Sequence, residues 1–113
     1  MESINIITYN DFYRVKRNGL LLRDIPEELK TEKICMISVK QNGLALRYVP
    51  EKLKTANVCI AAVKEDGLAL EFVPKDMRTT SICMEAVIEK NIALKHVPDV
   101  LRNEISWFLI ERL

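Results

Sequence analysis

The sequence is poor in the residues that usually form catalytic or metal centres. It has one histidine, three cysteines and one tryptophan in 113 residues. A structural zinc site needs four ligands that converge on one point, and the chain has a single histidine to join its cysteines. The 17 basic and 16 acidic residues nearly balance, so no strong field draws the chain towards nucleic acid or anionic membranes. We therefore expect a protein that is not an enzyme and that has no cofactor.

Signals for secretion or membrane insertion are also missing. Residues 1–10, MESINIITYN, lack the basic start and continuous apolar run of a secretory signal. The longest uncharged apolar stretch, TANVCIAAV, is far shorter than the roughly 20 residues of a membrane-spanning helix. We expect a soluble, cytoplasmic protein.

What the sequence does contain is a repeat with a period of 24 residues. Its glycines are Gly19, Gly43 and Gly67, with Asn91 in the fourth place. Its prolines keep the same interval at Pro26, Pro50, Pro74 and Pro98. Such a period is typical of solenoids, whose units bury their apolar faces against one another. The sequence predicts an all-α fold: a short α-solenoid of four 24-residue helical repeats with a C-terminal capping helix.

Each unit is predicted to hold two helices and a turn. Thr31 suits an N-cap, and Ile34 and Ser38 begin an apolar helical face. The glycine is predicted to end this helix in the left-handed conformation. A shorter helix over LALRYV then stops before Pro50, which opens the turn PEKL.

The repeat predicts a single helical domain over residues 1–113. Its units span about residues 8–30, 31–54, 55–78 and 79–102. Residues 103–113 are predicted to form the closing helix, with Asn103 as its N-cap and Trp107 adding bulk at the end of the stack.

The motif N-G-x-A-L-x-x-V-P, followed by T-x-x-I-C-x-x-A-V, resembles the bacterial repeat family catalogued as domain of unknown function 4116. The resemblance covers about residues 8–103, with Asn91–Ile92 and Asp11 departing from the pattern. It implies a tandem helical repeat, often found within larger proteins of host-associated bacteria, and no assigned activity. A chain belonging to an effector system would be delivered into a host cell.

Cys35, Cys59 and Cys83 occupy one position in successive units. Equivalent positions on stacked helices lie about 8–10 Å apart, whereas a disulfide holds its Cα atoms about 4.4–6.8 Å apart. We therefore expect small buried hydrophobic side chains rather than disulfides, metal ligands or nucleophiles.

Basic residues form two rows. The first row is Lys30, Lys54, Arg78 and Arg102, and the second is Lys16, Lys40 and Lys64. Such rows would suit a phosphate backbone, which makes nucleic-acid binding the alternative function. The balanced charge favours another interpretation: the first row pairs with Glu27, Glu51 and Asp99, and the second offsets helix dipoles.

Positions that vary within a strict repeat are the usual binding positions of a solenoid. Here they include Arg47, Glu71 and Lys95, and beside them Tyr48, Phe72 and His96. We predict that these six residues bind an unknown protein partner through an extended face. The alternative is that Tyr48 and Phe72 only cover the boundary between units.

The C-terminal segment ISWFLI carries more apolar bulk than a terminal helix needs. An exposed apolar patch commonly marks a contact surface. Trp107, Phe108 and Leu113 are therefore candidates for self-association, and a homodimer through the closing helix is a subsidiary prediction.

Overall fold

The computed structural model describes the backbone of residues 2–112 and the side chains of residues 10–112. Within that range the regular elements are helical and no β-strand occurs. The α-helices are α1 (Glu2–Arg17), α2 (Glu32–Gln41), α3 (Ala56–Glu65), α4 (Thr80–Glu89) and α5 (Asp99–Glu111). No helix in the described part of the chain is long and apolar enough to span a bilayer.

The shorter helix of each unit is a 3₁₀ helix. The four members are Gly19–Asp24, Gly43–Tyr48, Gly67–Phe72 and Asn91–His96, referred to below as the 3₁₀ row. Three prolines are each followed by a single 3₁₀ turn, at Glu27–Leu29, Glu51–Leu53 and Lys75–Met77. Short 3₁₀ pieces are common as connectors, because their hydrogen-bond geometry does not support long runs.

The units stack in two layers, one of α-helices and one formed by the 3₁₀ row. Between them lies one continuous core, which includes Leu46 and Leu70 from the 3₁₀ row and Val39 and Val63 from the α-helices. The radius of gyration is 15.5 Å, whereas a compact chain of this length has about 13 Å. The molecule is therefore elongated, and the predicted all-α repeat fold is confirmed.

The threonine N-caps are confirmed. The hydroxyl of Thr31 accepts from the amide of Ile34 at 3.3 Å, and Thr55 and Thr79 act in the same way on α3 and α4. A second set of caps was not foreseen. The side chains of Asn18, Asn42 and Asp66 accept from the backbone amide two residues later and so begin the 3₁₀ helices.

The prediction that the glycines adopt the left-handed conformation was wrong. No residue in the described part of the chain has a positive φ. Each glycine instead lies against the backbone of the next α-helix. A Cβ atom on Gly19, Gly43 or Gly67 would overlap the carbonyl oxygen of Ser38, Ala62 or Ala86, respectively. The glycines are therefore needed for the close approach of neighbouring units.

The closing helix also differs from its prediction. It begins at Asp99, directly after Pro98, so Asn103 lies inside α5 and is not its N-cap. In earlier units the chain leaves the helical conformation at Lys54 and Arg78, whose side chains reach the next unit. Among the described residues, Arg102 bonds only to Val97 and Asp99 of its own unit, and here the chain continues as a helix.

The inward face of α5 is not the one that the repeat register predicts. Trp107 stands in the cysteine position, yet it is 65% exposed, and Ile105 is the buried residue at 1%. Leu101 and Leu109, four residues to either side of Ile105, pack against the core with it. Trp107 therefore does not fill the end of the stack. The helix has turned about its axis relative to α2, α3 and α4.

Candidate interaction groove

The 3₁₀ row forms an open groove with a volume of about 340 Å³. Three leucines and all six residues predicted to bind a partner line it: Leu20, Leu44, Leu68, Arg47, Tyr48, Glu71, Phe72, Lys95 and His96. The repeat brings them together, because equivalent positions of stacked 3₁₀ helices turn towards the same side. The geometry of the predicted site is therefore present on one surface.

The floor of the groove is apolar. Leu44, Tyr48 and Phe72 are half-buried and pack against the core. Each ring thus covers part of the boundary between units and still lines the groove. The two sequence interpretations of Tyr48 and Phe72 are compatible, since one ring serves both contacts.

The rim of the groove alternates in charge, with Arg47, then Glu71, then Lys95 in successive units. The Arg47 guanidinium lies 5.9 Å from the centre of the Tyr48 ring, within cation–π range. His96 Nε2 lies 4.0 Å from a carboxylate oxygen of Glu71. Burial lowers the pKa of His96, and the nearby Glu71 opposes that shift. His96 is therefore mainly neutral at pH 7, and Glu71 provides the negative charge of the rim.

Side chains of the first basic row fix the frame of the groove. Lys30 Nζ donates to the carbonyl of Tyr48 at 3.0 Å, and Lys54 Nζ donates to that of Phe72 at 2.8 Å. The Arg78 guanidinium donates to the carbonyl of His96 at 3.0 Å. Each cation therefore binds the backbone of a residue in the next unit whose side chain is a candidate partner contact.

The acidic partners of this row were predicted correctly. Glu27 pairs with Lys30 at 2.7 Å, Glu51 pairs with Lys54 at 2.9 Å, and Asp99 pairs with Arg102 at 3.2 Å. Sequence reasoning missed the bond to the next unit. The recurrence of a long cationic side chain every 24 residues could have indicated this bond. A surface ion pair alone contributes little to stability, so it does not explain the recurrence. The Lys30 and Lys54 side chains are only 6% and 7% exposed, so they are not available to an external phosphate.

The second basic row lies on the α-helical layer, away from the groove. Lys16, Lys40 and Lys64 are exposed in the last turns of α1, α2 and α3. A cation in the last turn of a helix interacts favourably with the helix dipole. This arrangement agrees with the prediction that the second row offsets helix dipoles.

The cysteines lie in the core and take no part in the groove. Cys35, Cys59 and Cys83 are fully buried and unpaired. Burial raises the pKa of the Cys35 and Cys59 thiols to about 11, and it also raises that of Cys83. The thiols are therefore protonated at neutral pH, and their prediction as small buried hydrophobic side chains is confirmed. The described residues contain no cluster of three or more potential metal ligands.

The candidate self-association residues fall on α5. Trp107 is exposed, and Phe108 is half-buried with the Arg112 guanidinium 5.4 Å from its ring centre. Leu113 lies outside the described residues. Val100 and Ile110, which the prediction did not include, add further exposed apolar surface to the same helix.

Fold and groove together define a helical-repeat protein with an extended open face. A family model described as "Domain of unknown function (DUF4116)" matches residues 14–54 and 56–102, and the chain belongs to this family. No curated protein matches the chain, and no solved structure matches it.

Proposed function

We propose that this protein is a non-enzymatic interaction module that holds a protein partner in the groove of the 3₁₀ row. The observation that supports it best is the convergence of the six variable residues on one open surface. The glycine contacts and the cationic bonds between units fix the frame of that surface. Variable side chains on a fixed frame are the usual arrangement of a solenoid binding face.

The chemistry of the groove also supports a protein partner. Aromatic residues and arginine are enriched in protein interfaces, where they often contribute most of the binding energy. Tyr48 and Phe72 in the apolar floor and Arg47 on the rim provide this set. The groove is open along the stack, so it suits an extended segment better than an enclosed small molecule.

Photo-crosslinking tests this proposal. Benzoylphenylalanine replaces Arg47 on the rim of the groove or, as a control, the exposed Asn57 on α3. Both variants are expressed at equal levels in the native host and irradiated. We expect discrete protein adducts from position 47 and none of the same mass from position 57. Equal adducts from both positions, or none from position 47, would contradict the proposal.

A pair of aromatic substitutions provides a second test. Phe72→Ala removes a ring from the groove, and Tyr13→Ala removes an exposed ring from α1. We expect Phe72→Ala to weaken capture of the crosslinked partner by about tenfold or more, as for a central interface residue. Tyr13→Ala should leave it unchanged. Equal effects of the two changes would exclude the groove as the binding surface.

The nucleic-acid alternative now depends on Lys16, Lys40 and Lys64, with the partly exposed Arg102, because the Lys30 and Lys54 side chains are buried and Arg78 bonds to three backbone carbonyls. Phosphate contacts are strongest at low salt, so a mobility shift with single- and double-stranded oligonucleotides at low ionic strength decides it. We expect no shift. A shift that weakens steeply with added salt would favour the alternative over a protein partner.

We also propose a homodimer through α5, on the basis of its exposed apolar residues Val100, Trp107 and Ile110. Light scattering after size exclusion should show a dimer that Trp107→Glu converts into a monomer and that Asn57→Glu, on the exposed face of α3, leaves intact. A monomeric wild type would exclude the dimer.

A cytoplasmic location stays a prediction that fits three unpaired cysteines, and cell fractionation would check it.

A further inference from the structure

The spacing expected between the units agrees with one regular peptide conformation, the polyproline II helix. Helices that pack side by side lie about 8–10 Å apart, which is the spacing we expect between units, and the last three units each present one groove side chain, in the row Tyr48, Phe72 and His96. A polyproline II helix advances about 9.3 Å in three residues and returns to the same face. An extended strand repeats its faces every two residues, at about 6.6 Å. The polyproline II period therefore keeps step with the units, and that of a strand does not.

The surface chemistry agrees with this spacing. Grooves that bind polyproline II segments are lined with aromatic side chains, and they use a ligand conformation that is already ordered. Tyr48 and Phe72 present half-buried rings, with Leu44 and Leu68 forming the floor beside them. His96 adds a third ring, and burial lowers the pKa of this imidazole. Apolar ligand residues at every third position would lie against this row.

The rim adds a charge pattern. Arg47 and Lys95 stand on either side of Glu71, one unit apart in each direction. Glu71 has no lysine or arginine within salt-bridge distance among the described side chains, and the His96 imidazole, 4.0 Å away, is mainly neutral at pH 7. A ligand with an acidic, a basic and an acidic residue at successive third positions would complement this rim. The pattern reads the same in both directions, so it does not fix the polarity of the peptide.

We propose that the groove binds a polyproline II segment of its partner, with apolar residues at every third position and an acidic–basic–acidic series beside them. This inference rests on the proposed function and specifies its ligand. The apolar residues contact Tyr48, Phe72 and His96, and the charged series pairs with Arg47, Glu71 and Lys95.

Synthetic peptides test the inference on the whole chain. The matched peptide is Leu-Asp-Pro-Leu-Lys-Pro-Leu-Asp-Pro, blocked at both ends and labelled for fluorescence anisotropy. A charge-exchanged peptide has lysine in place of aspartate and aspartate in place of lysine, and a flexible peptide has glycine in place of proline. We expect the matched peptide to bind about tenfold more tightly than the charge-exchanged one. It should bind about fivefold more tightly than the flexible one, because its conformation is preorganised.

A charge exchange on the protein tests the register. Glu71→Arg should weaken binding of the matched peptide by about tenfold and strengthen binding of a peptide with aspartate at all three charged positions. Glu104→Arg, on the exposed face of α5, is the matched control and should change neither affinity. Circular dichroism confirms that both variants remain folded before binding is compared.

Several results would overturn the inference: no binding, equal binding of the three peptides, or the same effect from Glu71→Arg and Glu104→Arg. The proposed function fails by a different result, the absence of adducts from position 47 in cells. Adducts at position 47 with no peptide binding would show that the groove holds a partner in another conformation.

Discussion

The interior of the stack and its C-terminal end follow the same repeat but are built differently. In the interior, Gly43 lies against the α3 backbone, Cys59 is fully buried, and Lys54 reaches the next unit. At the end, Asn91 stands in the glycine position and is exposed. Trp107 stands in the cysteine position, and within the described part of the chain Arg102 bonds only to its own unit.

This difference identifies what makes a unit able to accept a neighbour. A residue without a Cβ atom permits backbone contact, a small side chain fits the helix interface, and a long cation bonds to a carbonyl 18 residues ahead. Where all three features change, the last helix turns away from the register. The groove depends on the same features, because they place successive 3₁₀ helices side by side.

The largest expected effect comes from one core position in the two regions. Leu46 is fully buried, whereas its equivalent Leu94 is only partly buried. Leu46→Ala should reduce the free energy of unfolding by about 3 kcal/mol or more, through lost burial and a cavity. Leu94→Ala should reduce it by about half as much. Urea unfolding followed by circular dichroism measures both, and equal losses would remove the distinction between interior and end.

The next effect concerns the bonds between units. Lys54→Met keeps much of the aliphatic stem but removes the donor to the Phe72 carbonyl. We expect a loss of about 1–3 kcal/mol in the free energy of unfolding. Arg102→Met, at the end of the stack, should change it by less than about 0.5 kcal/mol. If the two variants lost the same stability, the bond between units would have no special role.

The smallest effect is a pH dependence that distinguishes the last unit from the third. Burial lowers the pKa of His96 below its ordinary 6.5, against the opposing influence of Glu71. The unfolded chain therefore takes up the proton first, and stability is lost as the pH falls below 6.5. His96→Phe gives the last unit the same residue that the third unit has at Phe72. This variant should lose less stability between pH 7 and 5. Thermal unfolding across that range checks it, and identical pH profiles would argue against a half-buried, neutral His96.

Much of the fold was predictable because the repeat is a sum of local signals. The threonine caps and the proline turns depend on residues close in sequence, and the structure has both. The role of Gly43 was not predictable in this way. A glycine after a helix usually indicates a residue in the left-handed conformation. Here glycine is required because a Cβ atom would overlap the carbonyl oxygen of Ala62 in the next unit.

The site was predictable to a similar extent. Register alone placed Tyr48, Phe72 and His96 in one row, and the structure brings them into one groove. The bond from Lys54 to the Phe72 carbonyl depends on the distance between units, which no local pattern contains. The residues around Asn103 likewise do not predict that α5 begins at Asp99, where Arg102 makes no bond to another unit among the described residues.

The central claim is that glycine contacts set the register that builds the groove. The most direct measurement is urea unfolding of Gly43→Ala beside Asn91→Ala. A Cβ atom on Gly43 would overlap the backbone of α3, so Gly43→Ala should lose about 2–3 kcal/mol in the free energy of unfolding. Asn91→Ala should change it by less than about 0.5 kcal/mol. A Gly43→Ala variant as stable as the wild type would contradict the account.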